Sequence, residues 1–66
     1  MFIYVDKVNG NIRTVRIGVQ YIVMVEPYES PREPDTRAVI TLPNLVLNVT
    51  QTADEVNAMI DAALNC

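Results

Sequence analysis

An α+β fold is what this sequence predicts: a small, curved antiparallel sheet of four to five strands, able to approach an SH3-like partial barrel, with one C-terminal helix. Three stretches carry that expectation. If Pro43-Asn44 is a two-residue turn, Leu42–Leu45, Ile40–Leu47 and Ala38–Val49 pair on one face. Thr41–Val46, Val39–Asn48 and Arg37–Thr50 then pair on the other. The first face is wholly apolar and the second mixed, as in a hairpin with one side in a core. A capped amphipathic helix follows this hairpin, and an Asn-Gly turn between two apolar strands precedes it.

Taken in order, Met1 to Val8 is rich in Phe, Ile, Tyr and Val, side chains that suit a pleated, half-buried surface. Asn9-Gly10 supplies the positive φ angles that a two-residue hairpin turn needs. Pairing across it sets Asp6 opposite Arg13, Val5 opposite Thr14, Tyr4 opposite Val15 and Ile3 opposite Arg16. In that register Phe2, Tyr4, Val15 and Ile17 share one face, and Ile3, Val5 and Ile12 the other. Gly18 and Gln20 interrupt the strand, and Tyr21 to Val25 reads as a third, apolar on both faces. Pro27, Pro31 and Pro34 cannot continue a ladder, so Glu26 to Asp35 is expected to be a loop. In the last element Thr52 is the expected N-cap, with Glu55 completing a capping box and Asp54 adding a favourable charge to the first turn. Val56, Met59, Ile60, Ala63 and Leu64 follow the i, i+3, i+4, i+7, i+8 spacing of a buried stripe.

The 66 residues, half of them hydrophobic, are expected to form a single domain spanning 1–66, with a heavy apolar load for its volume. Cys66 is the only cysteine and there is no His, so neither an internal disulfide nor a zinc-type metal site is expected. Association is the remaining route by which so short a chain gains stability. The net charge of −3 is uneven. Residues 1–25 hold Lys7, Arg13 and Arg16 against Asp6, a local +2, whereas residues 26–66 hold Arg32 and Arg37 against seven acids, a local −5. An acidic chain without a basic cluster argues against a nucleic-acid partner. No apolar run approaches the roughly 20 residues that span a bilayer, and no signal-peptide pattern opens the chain. No membrane partner and a cytoplasmic setting are therefore expected.

Catalytic residues are not expected. Ser30 is the only serine and has no His to activate it; Asp54 and Glu55 are accounted for by capping. Gly10 and Gly18 are isolated and make no phosphate cradle, so no cofactor is expected either. Arg13 and Arg16 are the candidates for binding a small anion, although a spacing of three puts them on opposite strand faces. The proline-stiffened segment is the candidate partner-binding loop, with Glu26, Pro27, Tyr28, Glu29, Arg32, Glu33 and Arg37 upon it. One helix covers one face of a small sheet. Phe2, Tyr4, Ile17 and Met24 are therefore expected to meet a second subunit in a homo-oligomer.

Several pieces combine into a resemblance. Val8-Asn9-Gly10 ends a strand, Ile17-Gly18-Val19-Gln20-Tyr21-Ile22-Val23 and Ala38-Val39-Ile40-Thr41-Leu42 follow, and Val46-Leu47-Asn48-Val49 leads into Thr52-Ala53-Asp54-Glu55-Val56. In this order they resemble the short proteins of the FlbD/SwrD type of bacterial flagellar operons, and similar small phage proteins. The likeness covers nearly the whole chain through short, mostly hydrophobic pieces. Pro43-Asn44 stands where that family usually has Asn-Gly, Gln51-Thr52 where it usually has an acidic residue and serine, and the proline loop is longer. The resemblance thus implies a phage or mobile-element accessory protein rather than a flagellar one, in a bacterial cell or an infected host, and no catalytic residues. The expected function is a non-enzymatic, oligomeric interaction module that modulates a host or phage protein. Two alternatives stay open: capture of a signalling nucleotide at subunit interfaces, and a minor structural component of a virion.

Overall fold

A computed structural model describes residues 1–9 and 11–65. Its strands are β1 (Phe2–Asn9), β2 (Asn11–Gly18), β3 (Met24–Pro27), β4 (Ala38–Thr41) and β5 (Val46–Val49), and its helix is α1 (Ala53–Leu64). The five strands form one antiparallel sheet in the order β2-β1-β5-β4-β3. This is the expected α+β fold with a five-stranded sheet. Barrel closure does not occur: β2 and β3 remain the two edges.

The β4–β5 hairpin has the register its sequence predicts. Ala38 faces Val49, Val39 faces Asn48, Ile40 faces Leu47 and Thr41 faces Val46, while the Leu42 N–H donates to the Leu45 carbonyl at 2.8 Å across Pro43-Asn44. Ala38, Ile40, Leu47 and Val49 are all buried. A slip of one residue would turn this entire apolar row to solvent, which is why the register is so well specified.

The β1–β2 register differs from expectation by one residue. Asp6 faces Thr14 rather than Arg13, Val5 faces Val15, Tyr4 faces Arg16 and Ile3 faces Ile17. The ladder ends with Asn9 opposite Asn11, and Gly10 of the expected Asn9-Gly10 turn lies outside the described residues. The observed register gathers Ile3, Val5, Val15 and Ile17 on one face, with Ile3, Val5 and Ile17 buried. Burying a large aliphatic side chain is worth about 1.5–3 kcal/mol, against about 0.2–1 kcal/mol for a cross-strand charge pair. Packing therefore wins over the Asp6–Arg13 match.

Beyond β2, residues Val19–Tyr21 form a 3₁₀ turn instead of the start of a third strand. Its i to i+3 spacing turns Val19 and Ile22 together toward the core, and the Ile22 N–H donates to the Val19 carbonyl. Tyr21 folds back over Gly18; a Cβ there would lie 2.8 Å from the Tyr21 ring, so only glycine fits without moving it. β3 follows later than expected and carries Pro27 as its last residue, opposite Ala38. An edge position tolerates the missing N–H, so the loop starts at Tyr28 rather than Glu26.

α1 packs against β1 and β3. Val56 is fully buried, and Ala53, Met59, Ile60 and Ala63 pack beside the core. Leu64 is 57% exposed and does not belong to the buried stripe, a correction of the periodic reading at the helix end. The capping box is formed: Thr52 Oγ1 accepts from the Glu55 N–H, and Glu55 Oε1 accepts from the Thr52 N–H, both at 3.1 Å.

β1 and β5 meet mainly around Asp6. Its carboxylate accepts from Thr14 Oγ1 at 2.6 Å and Gln51 Nε2 at 3.1 Å, its N–H donates to Gln51 Oε1 at 2.9 Å, and its carbonyl accepts from the Thr50 N–H at 3.0 Å. Replacing Gln51 by Ala removes two of these bonds and is expected to cost about 1–3 kcal/mol in urea unfolding. A Thr52→Ala change is expected to cost about 1 kcal/mol.

The hydrogen bonds from Thr52 hold the Glu55 carboxyl below its ordinary value of 4.5, with a smaller contribution from Arg37. A lowered folded-state pKa means that this contribution is complete above about pH 5 and lost as the pH falls through the lowered value. Melting curves of wild type and Glu55→Gln are therefore expected to differ at pH 6 and to converge toward pH 3.

Candidate binding surface

Backbone turns shape the proline loop into a wall. Ser30 Oγ accepts from the Arg32 N–H, the Ser30 carbonyl from the Glu33 N–H, and the Glu33 carbonyl from the Thr36 N–H. At the loop's base the Tyr28 N–H donates to the Arg37 carbonyl, and the Arg37 N–H to the Val49 carbonyl. Pinned in this way, the loop encloses an open cavity of about 560 Å³. Pro27, Tyr28 and Pro34 supply apolar wall, Glu29 and Glu33 its carboxylates, and Arg37 its guanidinium. A second concavity of about 330 Å³ lies behind it, with Arg32 and Asp35 on its lining.

Of the expected partner-binding residues, Pro27, Tyr28, Glu29, Glu33 and Arg37 are brought together around the larger cavity. Arg32 lines the smaller one, and Glu26 lines neither. The sequence reading missed Thr36. It lines both concavities, is 3% exposed, and its Oγ1 is buried without a hydrogen-bond partner. A threonine between an acidic residue and an arginine gives no sign of burial, so no sequence signal distinguishes it.

The residues expected at a subunit interface do not share one face. Phe2, Tyr4 and Met24 are exposed on the outer face of the sheet; Ile17, at 9% exposure, belongs to the core and is removed from that surface. The register shift is the reason, because it turns Ile17 inward beside Ile3. Met24 stands in one cross-strand row with Thr41 and the exposed Val46. The Arg16 guanidinium lies 4.4 Å from the centre of the Phe2 ring, and Arg13 faces Lys7 across the hairpin. Arg13 and Arg16 thus project to opposite sides and form no joint anion clamp.

Among the described residues no Lys or Arg nitrogen comes within 4.0 Å of an Asp or Glu oxygen. They also contain no group of three or more His, Cys, Asp or Glu placed to hold a metal ion, and no helix long and apolar enough to cross a membrane. Comparison with family models, curated proteins and solved structures finds no match to this chain.

Burying an unpartnered hydroxyl costs about 1–3 kcal/mol. Thr36→Val keeps the shape of the side chain and removes that hydroxyl, and it is expected to raise the stability of the monomer by about 1 kcal/mol in denaturant titration.

Proposed function

We propose that this chain is a non-enzymatic interaction module that works as an oligomer, an accessory protein of phage or mobile-element type that modulates a host or phage protein. The observation that carries this reading is the exposed apolar surface left after the core is complete. Tyr4 and Val46 are 60% and 57% exposed, and Phe2, Ile12, Val23 and Met24 are exposed with them. Such a load is large for a chain of 66 residues, and two unpaired sheet edges lie beside it. Unpaired charges around the loop add specificity to an apolar contact.

Capture of a signalling nucleotide is the weaker reading. The loop cavity sets Glu29 and Glu33 beside its one arginine, Arg37, and the first turn of α1 carries Asp54 and Glu55, so a phosphate would meet carboxylates. Arg16 is engaged with Phe2 on the outer face.

Light scattering of the pure chain at micromolar concentration is expected to give a mass above that of the 7.4 kDa monomer. Met24→Ser combined with Val46→Ser is expected to lower that mass without loss of the folded circular-dichroism spectrum. A monomer at every concentration would defeat the oligomer reading.

A further inference from the structure

Two parts of this molecule carry an excess of one charge, with no ion pair within 4.0 Å among the described residues. The first is the far end of the β1–β2 hairpin, where Lys7 and Arg13 are direct cross-strand partners. Like charges set opposite one another repel, and the apolar pairs Ile3–Ile17 and Val5–Val15 hold the register that opposes them. No carboxylate of the described residues comes within 4.0 Å of either cation. The second part is the loop cavity, where Glu29 and Glu33 stand against Tyr28 and two prolines and outnumber the single guanidinium of Arg37 on its lining. Carboxylates next to an aromatic ring and apolar wall suit a guanidinium or ammonium group, which pairs with the acid and lays its stem or its face on the apolar part.

These two parts are complementary, and both are present on every copy. We propose that two copies bind reciprocally, the Lys7–Arg13 end of each hairpin seated on the Glu29–Glu33 cavity of the other. The arrangement is a closed two-fold dimer, because a single symmetric contact answers the basic and acidic parts of both copies at once. The split of charge along the sequence, +2 in residues 1–25 against −5 in residues 26–66, has the same sense. The geometry also explains why the Lys7–Arg13 opposition is left standing: in the dimer each cation gains a carboxylate. This proposal rests on the self-association argued above and names the groups that direct it.

A charge swap tests it. Lys7→Glu with Arg13→Glu gives a chain acidic at both parts, and Glu29→Lys with Glu33→Lys gives one basic at both. Each variant alone is expected to lose self-association, by about tenfold or more in Kd. An equimolar mixture is expected to recover a one-to-one heterodimer, because both contacts are then between opposite charges. Circular dichroism checks that each variant is folded. If either is not, Arg13→Gln and Glu33→Gln take their place, each expected to weaken the dimer and to flatten its dependence on NaCl.

Association unchanged in both variants, or a mixture that stays monomeric, overturns the proposal. If only the Met24 and Val46 substitutions disperse the chain, the apolar surface alone drives assembly: the broader reading survives and this one does not. A wild-type chain that is monomeric at all concentrations removes both. A monomer whose loop cavity binds an arginine-rich peptide assigns the cavity to another protein and likewise overturns the second-copy reading.

Discussion

The fold depends on one polar junction. β1 and β5 share a single ladder pair, Lys7 with Val49, so the N-terminal hairpin is joined to the rest of the sheet over a very short front. Asp6 makes that front hold. It uses its N–H, its carbonyl and both carboxylate oxygens, reaching Thr14 on β2 and Thr50 and Gln51 on the segment that leads into α1. A hydrogen bond to an ionised group is worth more than a neutral one, and partial burial strengthens it further. Under this junction lies the apolar layer, with Val5 next to it in β1 and Val49 across from it, both fully buried. The polar contact sets the alignment and the apolar contact supplies most of the energy.

This division explains what could be read from the residues. The β4–β5 hairpin was legible because each residue's partner, polarity and burial agree: only one register puts Ala38, Ile40, Leu47 and Val49 inside. The cap on α1 was legible because Thr52 and Glu55 satisfy backbone groups within their own turn. In β1–β2 the local signals conflicted. The turn residues and the Asp6–Arg13 charge match favoured one register, and the distant core favoured another. Tertiary packing decided, and with it moved Ile17 from surface to core. The Asp6–Gln51 contact, spanning 45 positions, has no signature in either segment.

The binding surface follows the same pattern. Prolines announced the loop, and five of the seven residues named from it do gather at one cavity. The depth of Thr36 depends on how the loop lies over Val8 and Asn48, both of which line the concavity behind it, so burial there is a property of the assembled sheet. The proposed interaction role rests on the exposed apolar side chains and on the unequal charge of the hairpin end and the loop cavity.

The shortness of the β1–β5 front also bears on how the chain folds. Both hairpins and the helix consist of contacts between near neighbours in sequence, which form on microsecond timescales. Joining them requires Asp6 to find Gln51 across an intervening loop, and the entropy of closing such a loop precedes any gain from the contact. Closing that separation is the larger entropic cost in assembling the sheet, and the Asp6 cluster is among the contacts that offset it. The apolar side of the N-terminal hairpin, Ile3, Val5 and Ile17, is therefore covered only by partners far along the chain, Leu47, Val49 and Val56, so the two halves are stable only together.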